Sequence, residues 1–272
     1  MSYFKVLGLD KEPFSTSPDP HFFYHSTSHY AALRRLEIAI RLRRGLSLIL
    51  GDVGTGKTTL LRALLQTFKD ENDFIFHMIL DPSFKSEFQF LLSLVKVFGA
   101  NPNFKSTLDF KEALEKYLFQ KGVDENKTVV LLIDEGQKMS PENLELLRML
   151  LNYETNEYKL LQLVIMAQTE LLPRIRRIRN FIDRVVLKYT INPLDESETE
   201  EMIGFRLKQA GFNNQYDLFT DEAIKLIYQH TQGYPRRIAL LCHDALEITV
   251  MNDRLVVDGE TINSLTQQEV RV

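Results

Sequence analysis

The chain holds one cysteine, Cys242, and no tryptophan in its 272 residues. A single thiol cannot close an internal disulfide, so the fold has to be held by its core, and a reducing compartment suits it. Cys242 precedes His243, but two adjacent side chains do not complete a metal site, and the position reads as a small thiol inside a helical core. No apolar run approaches the ~18 residues needed to cross a bilayer. The opening "MSYFKVLGLDKEPF" lacks a basic start followed by an apolar segment, so it does not read as a signal peptide. The expected location is cytoplasmic, with no direct membrane span. Basic excess is missing too: a formal net charge of −4 gives no support to a protein that works mainly by coating nucleic acid. Internal repeats and low-complexity segments are absent.

The charge that is present is uneven. From Pro193 onward there are 7 Lys+Arg against 14 Asp+Glu, whereas residues 1–192 carry 26 against 23. The acidic part is expected to be a separate structural unit. Residues 1–28, rich in Pro, Ser and aromatics, read as an irregular lead-in. Ala32, Leu33, Leu36 and Ile40 recur at helical spacing and predict a helix from His29 to Arg44. Apolar, β-branched runs then predict strands at 46–50, 74–80, 129–133, 161–167 and 185–191. Helices are expected between them at 57–69, 86–98, 108–120, 141–151 and 169–182. Such alternation implies an α/β fold with a parallel five-stranded sheet between helices. After "NPLDESETEEM" only helices are expected, at 195–210, 220–231, 235–250 and 258–268. The domain reading is a lead-in over 1–28, an αβα nucleotide-binding domain over 29–192 and a small all-helical lid over 193–272.

The chemistry starts at "GDVGTGKTT". Gly51, Gly56, Lys57 and Thr58 occupy the fixed places of a phosphate-binding loop, between a strand and a helix as the motif requires. Gly51, Asp52, Val53, Gly54, Thr55, Gly56, Lys57, Thr58 and Thr59 form the candidate nucleotide-binding segment. Its backbone N–H groups and the positive end of the following helix would face phosphate oxygens. Lys57 would reach the outer phosphates and the Thr58 hydroxyl would bind Mg²⁺. In "VVLLIDEGQKM", two carboxylates follow a buried strand at the end where ligands sit in open α/β sheets. Asp134 would hold Mg²⁺, and Glu135 would act as general base on the attacking water. The strand "LLQLVIMAQ" ends in Gln168, a candidate for orienting that water or sensing the outermost phosphate. Arg184, before the last predicted strand, and Arg236 with Arg237, at the start of a helix, are candidate phosphate ligands because a guanidinium is a rigid fork of donors.

These elements in this order resemble the AAA+ ATPases of the P-loop NTPase class. "DRVVLKYTINPL" resembles the arginine-finger region of clamp-loader ATPases, with Arg184 on the finger. "GYPRRI" resembles the second sensor of the origin-recognition-like branch, with Arg236 on the sensor position. A closer resemblance, covering roughly residues 3 to 268, is to the ExeA/GspA (general secretion pathway protein A) family. It is carried by "EPFSTSPDPHFFYHSTSHYAALRRL", "GDVGTGKTTLLRALL", "LLIDEGQKMSPENLELLRMLLNYETNEYKLLQLVIMAQTEL" and "LFTDEAIKLIYQHTQGYPRRIALLCHDAL". Within it, "DEGQ" is a near-form of the usual "DEAQ", and "AQTEL" of "GQPEL". The departures are Gly136 for Ala, Ala167 for Gly and Thr169 for Pro, and none removes a catalytic group.

The resemblance implies ATP and Mg²⁺ as cofactors, catalytic Glu135, Gln168, Arg184 and Arg236, and self-association in a ring or filament. It also implies that the lead-in aromatics, Phe23 and Tyr24 among them, cover part of the adenine pocket. The expected role is an ATP-driven step in assembly or secretion beside an envelope or secretion machinery component. Longer members of that family continue into a transmembrane helix and a peptidoglycan-binding domain, whereas this sequence stops after the lid. The same core is similar to transposon target-selecting ATPases of the TnsC and MuB type, which form ATP-dependent filaments on duplex DNA. That alternative would make duplex DNA and a transposase the partners. Arg41, Arg43, Arg44 and the cluster Arg174, Arg176, Arg177 and Arg179 favour it, with Lys85, Lys105 and Lys138 as candidate contacts. The cluster also reads as a solvated helix face or a subunit interface.

Overall fold

A computed structural model describes residues 3–17, 19–100, 106–213 and 217–269. Lys105 lies outside them. The chain divides into two compact units. One comprises His29–Val53 and Leu60–Ile191, and the other Met1–Ser28, Gly54–Thr59 and Asn192–Val272. The strands are β1 (Leu46–Gly51), β2 (Phe74–Ile79), β3 (Thr128–Ile133), β4 (Leu161–Ala167) and β5 (Val185–Ile191). The helices are α1 (Tyr3–Val6), α2 (Thr27–Arg41), α3 (Lys57–Thr67), α4 (Glu87–Phe98), α5 (Thr107–Phe119), α6 (Pro141–Leu150), α7 (Leu171–Ile175), α8 (Glu196–Gln209), α9 (Asp221–Thr231), α10 (Pro235–Met251) and α11 (Gly259–Glu269).

The first unit is an α/β sheet in the order β2-β3-β4-β1-β5, with every neighbouring pair parallel. The sequence explains the order. β1, β3 and β4 are buried at every position and are apolar almost throughout, as strands covered on both faces must be. β5, "VVLKYTI", alternates between exposed and partly buried positions, as an edge strand does. Phe90, Leu94, Phe110, Leu114, Leu131, Leu147 and Ile165 belong to the core that joins the sheet to its helices. Helix starts follow local chemistry. The Ser86 side chain accepts from Gln89 N ahead of α4. Ser106 and Asp109 form a capping box on α5, and Ser140 with Pro141 opens α6.

The expected helix over 169–182 is not formed. Only α7 is helical, and a short 3₁₀ turn follows at Ile182–Arg184. Continued as a helix, the stretch would set Arg174 beside Arg177 and Arg176 beside Arg179, and like charges at that spacing weaken a helix. Asn180 then takes φ 59 in the left-handed region and reverses the chain.

The described chain beyond β5 is helical, as expected. Capping at Asp195 and Glu198 starts α8, Thr220 starts α9, and Pro235 is the first residue of α10. The described residues within 1–28 are mostly irregular, as read. They contain α1 and a 3₁₀ turn at Pro20–Phe22, and Leu7, Leu9 and Phe14 are buried in one core with Leu207, Ala210, Phe219 and Ile238. The ring of Phe14 meets Phe219 edge-on at 5.9 Å. Cys242 is fully buried in that core, and burial pushes its thiol well above the usual range, which leaves it an inert packing group. Among the described residues, no helix is long and apolar enough to cross a membrane.

Candidate active site

The phosphate loop continues directly from β1, the strand between β4 and β5. Gly54 and Gly56 have φ +83 and +91, conformations glycine adopts without steric cost. These two turns deliver the chain into α3 at Lys57, so the first amides of an 11-residue helix open onto the loop. Thr55 and Lys57 are buried, at 0% and 6% exposure. The Gly54 carbonyl accepts the backbone N–H of Arg236 at 3.2 Å. A Cβ on Gly54 would lie 3.0 Å from Arg236 Cβ, so this glycine allows the close approach of α10.

Asp134 follows β3, and its backbone N–H donates to Ile79 O at 2.9 Å, extending the ladder with β2 by one step. Its carboxylate is almost fully buried and accepts from Glu135 N at 2.9 Å. Glu135 is a non-glycine residue at φ 53. That conformation costs about 1–3 kcal/mol and persists only where the surroundings impose it. The surroundings are visible. Gln137 Nε2 donates to Glu135 Oε2 at 2.8 Å. Gln168 N donates to Gln137 Oε1 at 3.0 Å. Arg174 Nη1 donates to the carbonyls of Gln137, at 2.5 Å, and Met139, at 3.3 Å. Gln168 itself follows β4, whose Ala167 pairs with Leu50 of β1. Gly51, Asp134 and Gln168 therefore stand at the carboxyl ends of three adjacent parallel strands. The sequence placed each at a strand end. It did not show that Gln137 ties the Glu135 carboxylate to the Gln168 backbone or that Arg174 holds the intervening turn, although "DEGQ" contains the decisive residue.

The two departures at Gly136 and Ala167 are neighbours in space. A Cβ on Gly136 would collide with Ile165 Cγ2 and lie 3.3 Å from Ala167 Cβ. The methyl group has in effect moved from one side of the contact to the other. Gly136→Ala should therefore overpack the turn and cost about 1–3 kcal/mol. Adding Ala167→Gly should restore only part, because the Ile165 contact remains. Thermal denaturation of both variants checks this, and an unchanged melting temperature for Gly136→Ala would show that the turn shifts freely.

Arg184 ends the 3₁₀ turn that leads into β5. The far end of β5, Ile191, pairs with Gly51. At about 3.3 Å per strand residue, Arg184 lies roughly 23 Å from the start of the loop, at the opposite end of the strands. Its positive charge is one of the influences that lower the Glu145 carboxyl, after the Arg148 hydrogen bond. The same charge, after burial, lowers the Lys159 ammonium. Its Nε is buried and has no hydrogen-bond partner among the described residues.

In the helical unit, the Phe23 ring lies 4.7 Å from His25, and burial lowers the His25 imidazole. Tyr24 donates its hydroxyl to Glu201 Oε2 at 2.5 Å and meets the Phe205 ring at 6.1 Å. Burial, then the Glu201 bond, pushes its phenol well above the usual range. Glu198 accepts from Thr27 N at 3.0 Å. Tyr24 thus fastens the lead-in to α8.

Residues 40–175, half of the chain, match the family described as AAA domain. The chain belongs to that family. As an AAA ATPase it binds nucleotide and is an ATP hydrolase. Over 246 residues it is 35% identical to general secretion pathway protein A of Aeromonas hydrophila, covering 90% of this chain and 44% of that one. The chain spans less than half the length of the curated relatives it matches, 44% and 38%. Among solved structures, the ORC2 protein of Aeropyrum pernix superposes with a TM-score of 0.66 at 16% identity, over 94% of this chain and 71% of that one. The Drosophila ORC bound to DNA gives 0.70 at 20%, over 97% and 65%. These structural likenesses establish a shared fold.

Proposed function

We propose that this AAA protein hydrolyses ATP with Mg²⁺ at interfaces between its own copies, and that turnover drives an assembly or secretion step of the kind general secretion pathway protein A is named for. The observation that carries the interface reading is the separation within the sheet unit. Gly51, Asp134 and Gln168 cluster at one end of the strands, and Arg184, with an unpartnered buried Nε, stands at the other.

The loop is covalently continuous with β1 and α3, so the chain itself delivers Lys57 and Thr58 to the carboxyl end of β1. A hydroxyl and a carboxylate, Thr58 and Asp134, are hard oxygen donors suited to Mg²⁺, which when bound would offset the charge of the outer phosphates. Lys57 and the amides of residues 52–59 bind the phosphates. Glu135 takes a proton from water as its oxygen attacks the γ-phosphorus, and the bond to the β–γ bridging oxygen breaks to release ADP. Gln168 orients that water. Arg236 approaches the γ-phosphate from α10, and Arg184 of a neighbouring copy neutralises the charge that develops there. Phe23 borders the adenine, held in place by the anchor at Tyr24.

Lys57→Ala should weaken nucleotide binding, with affinity for a fluorescent ATP analogue falling by at least about tenfold, the loss of one charge-assisted hydrogen bond. Parent-like affinity would remove the phosphate-loop assignment. Several bases of the DNA-regulator alternative have partners within the chain. Arg41 makes a two-point pair with Glu71 at 2.7 Å. Arg43 donates to Thr128 and Asn126 O at 2.9 Å, Lys138 pairs with Asp81 at 3.6 Å, and Arg174 serves the Gln137 turn. ATP-dependent sedimentation with duplex DNA at about 50 mM salt separates the readings. Strong, salt-sensitive binding would favour the DNA role over the assembly role.

A further inference from the structure

Gln137 is buried, with 7% exposure, on the 3₁₀ turn Gly136–Lys138. Both ends of its amide are committed, Nε2 to the Glu135 carboxylate at 2.8 Å and Oε1 to the Gln168 backbone N–H at 3.0 Å. The amide orientation follows from its partners. A backbone N–H can only donate and an ionised carboxylate can only accept, so a flipped amide would lose both bonds. The turn beneath it is fixed independently by Arg174 through the carbonyls of Gln137 and Met139. A glutamate otherwise has several rotatable bonds, and a base must sit within a fraction of an ångström of its working position.

We propose that Gln137 is a positioning residue for hydrolysis, bridging the Glu135 carboxylate to the end of β4 so that the base and Gln168 keep one geometry. The proposal rests on the reading of Glu135 as the base. Gln137 acts through Glu135 and does not itself touch nucleotide. Because its β4 partner is a backbone group, the bridge is independent of the Gln168 side chain. Any shift of the β4 end, where Gln168 would face the phosphate, is passed to the base through one amide.

The test is ATP turnover by the full chain carrying Gln137→Met, Glu135→Gln and both changes. Methionine fills similar volume and can make neither bond. Gln137→Met should lower kcat about 10–100-fold, the effect of a small misplacement of a reacting group, and leave the KM for ATP within about twofold. In long single-turnover assays the double variant should be no slower than Glu135→Gln alone, since a residue acting through the base has nothing left to position. Gln137→Leu likewise makes neither bond and brings no new charge beside Glu135. It should show the same kcat loss and provides the measurement if the methionine variant does not fold. Parent-like kcat in a folded Gln137 variant beside an inactive Glu135→Gln overturns the proposal, as does a further multiplicative loss in the double variant. Normal hydrolysis by Glu135→Gln alone removes the base reading itself and is recognised from that variant without reference to Gln137.

Discussion

Glu135→Gln is expected to bind ATP as the parent chain does and to hydrolyse it about 10²–10⁴-fold more slowly, the contribution of a positioned general base. The substitution changes one atom and removes the proton acceptor. Backbone strain does not confuse the result, because Gln232 already occupies φ 53 in this chain, the value found at Glu135. The amide can still present an oxygen to Gln137 Nε2, so the turn has no reason to open. Asp134, Thr58 and the loop are untouched, so affinity for nucleotide should stay. Phosphate release and equilibrium binding of a fluorescent analogue, measured on one preparation, check the two halves. Parent-like turnover would mean that another group accepts the proton.

Arg184→Ala should also bind ATP normally and lose turnover, here by about 10³–10⁵-fold, the range for arginines that stabilise transferred phosphoryl charge. On the proposed reading the loss is a property of the assembly. Arg184 stands at the amino end of β5, while the strand's other end pairs with Gly51, so the residue cannot serve the loop of its own chain. Specific activity per subunit should therefore rise with protein concentration in the parent chain, and that dependence should vanish in Arg184→Ala. A parent activity independent of concentration down to the monomer would place the whole reaction within one chain.

The strands were legible because a buried parallel strand is an uninterrupted apolar run. β3 and β4, "TVVLLI" and "LQLVIMA", show no helical period and end abruptly at Asp134 and Gln168. The later helices were legible from their caps at Asp195 and Thr220 and from Pro235. The stretch 169–182 was misread because its apolar spacing is helical, whereas the chain leaves the helix after α7 and turns at Asn180. The lead-in is mostly irregular, as read, but what holds it in place was not legible. Its order comes from partners far along the chain, Phe219 for Phe14 and Glu201 for Tyr24, and local sequence carries no record of them. The candidate site divides in the same way. That Asp134 and Gln168 end strands could be read in one dimension. That β3, β4 and β1 lie side by side, and that one glutamine amide spans from carboxylate to backbone, depends on distances that only the folded chain supplies.

The most direct measurement is the hydrolysis rate of a mixture of Arg184→Ala and Glu135→Gln. The first brings an intact base and no finger, and the second an intact finger and no base. Each alone should be nearly inactive. Mixed in equal amounts, some interfaces pair a Glu135 from one chain with an Arg184 from the next, and the account predicts that part of the parent rate returns at those interfaces. A mixture that co-assembles, shown by labelled chains in a common particle, and yet stays as inactive as its components would contradict a site completed in trans by Arg184.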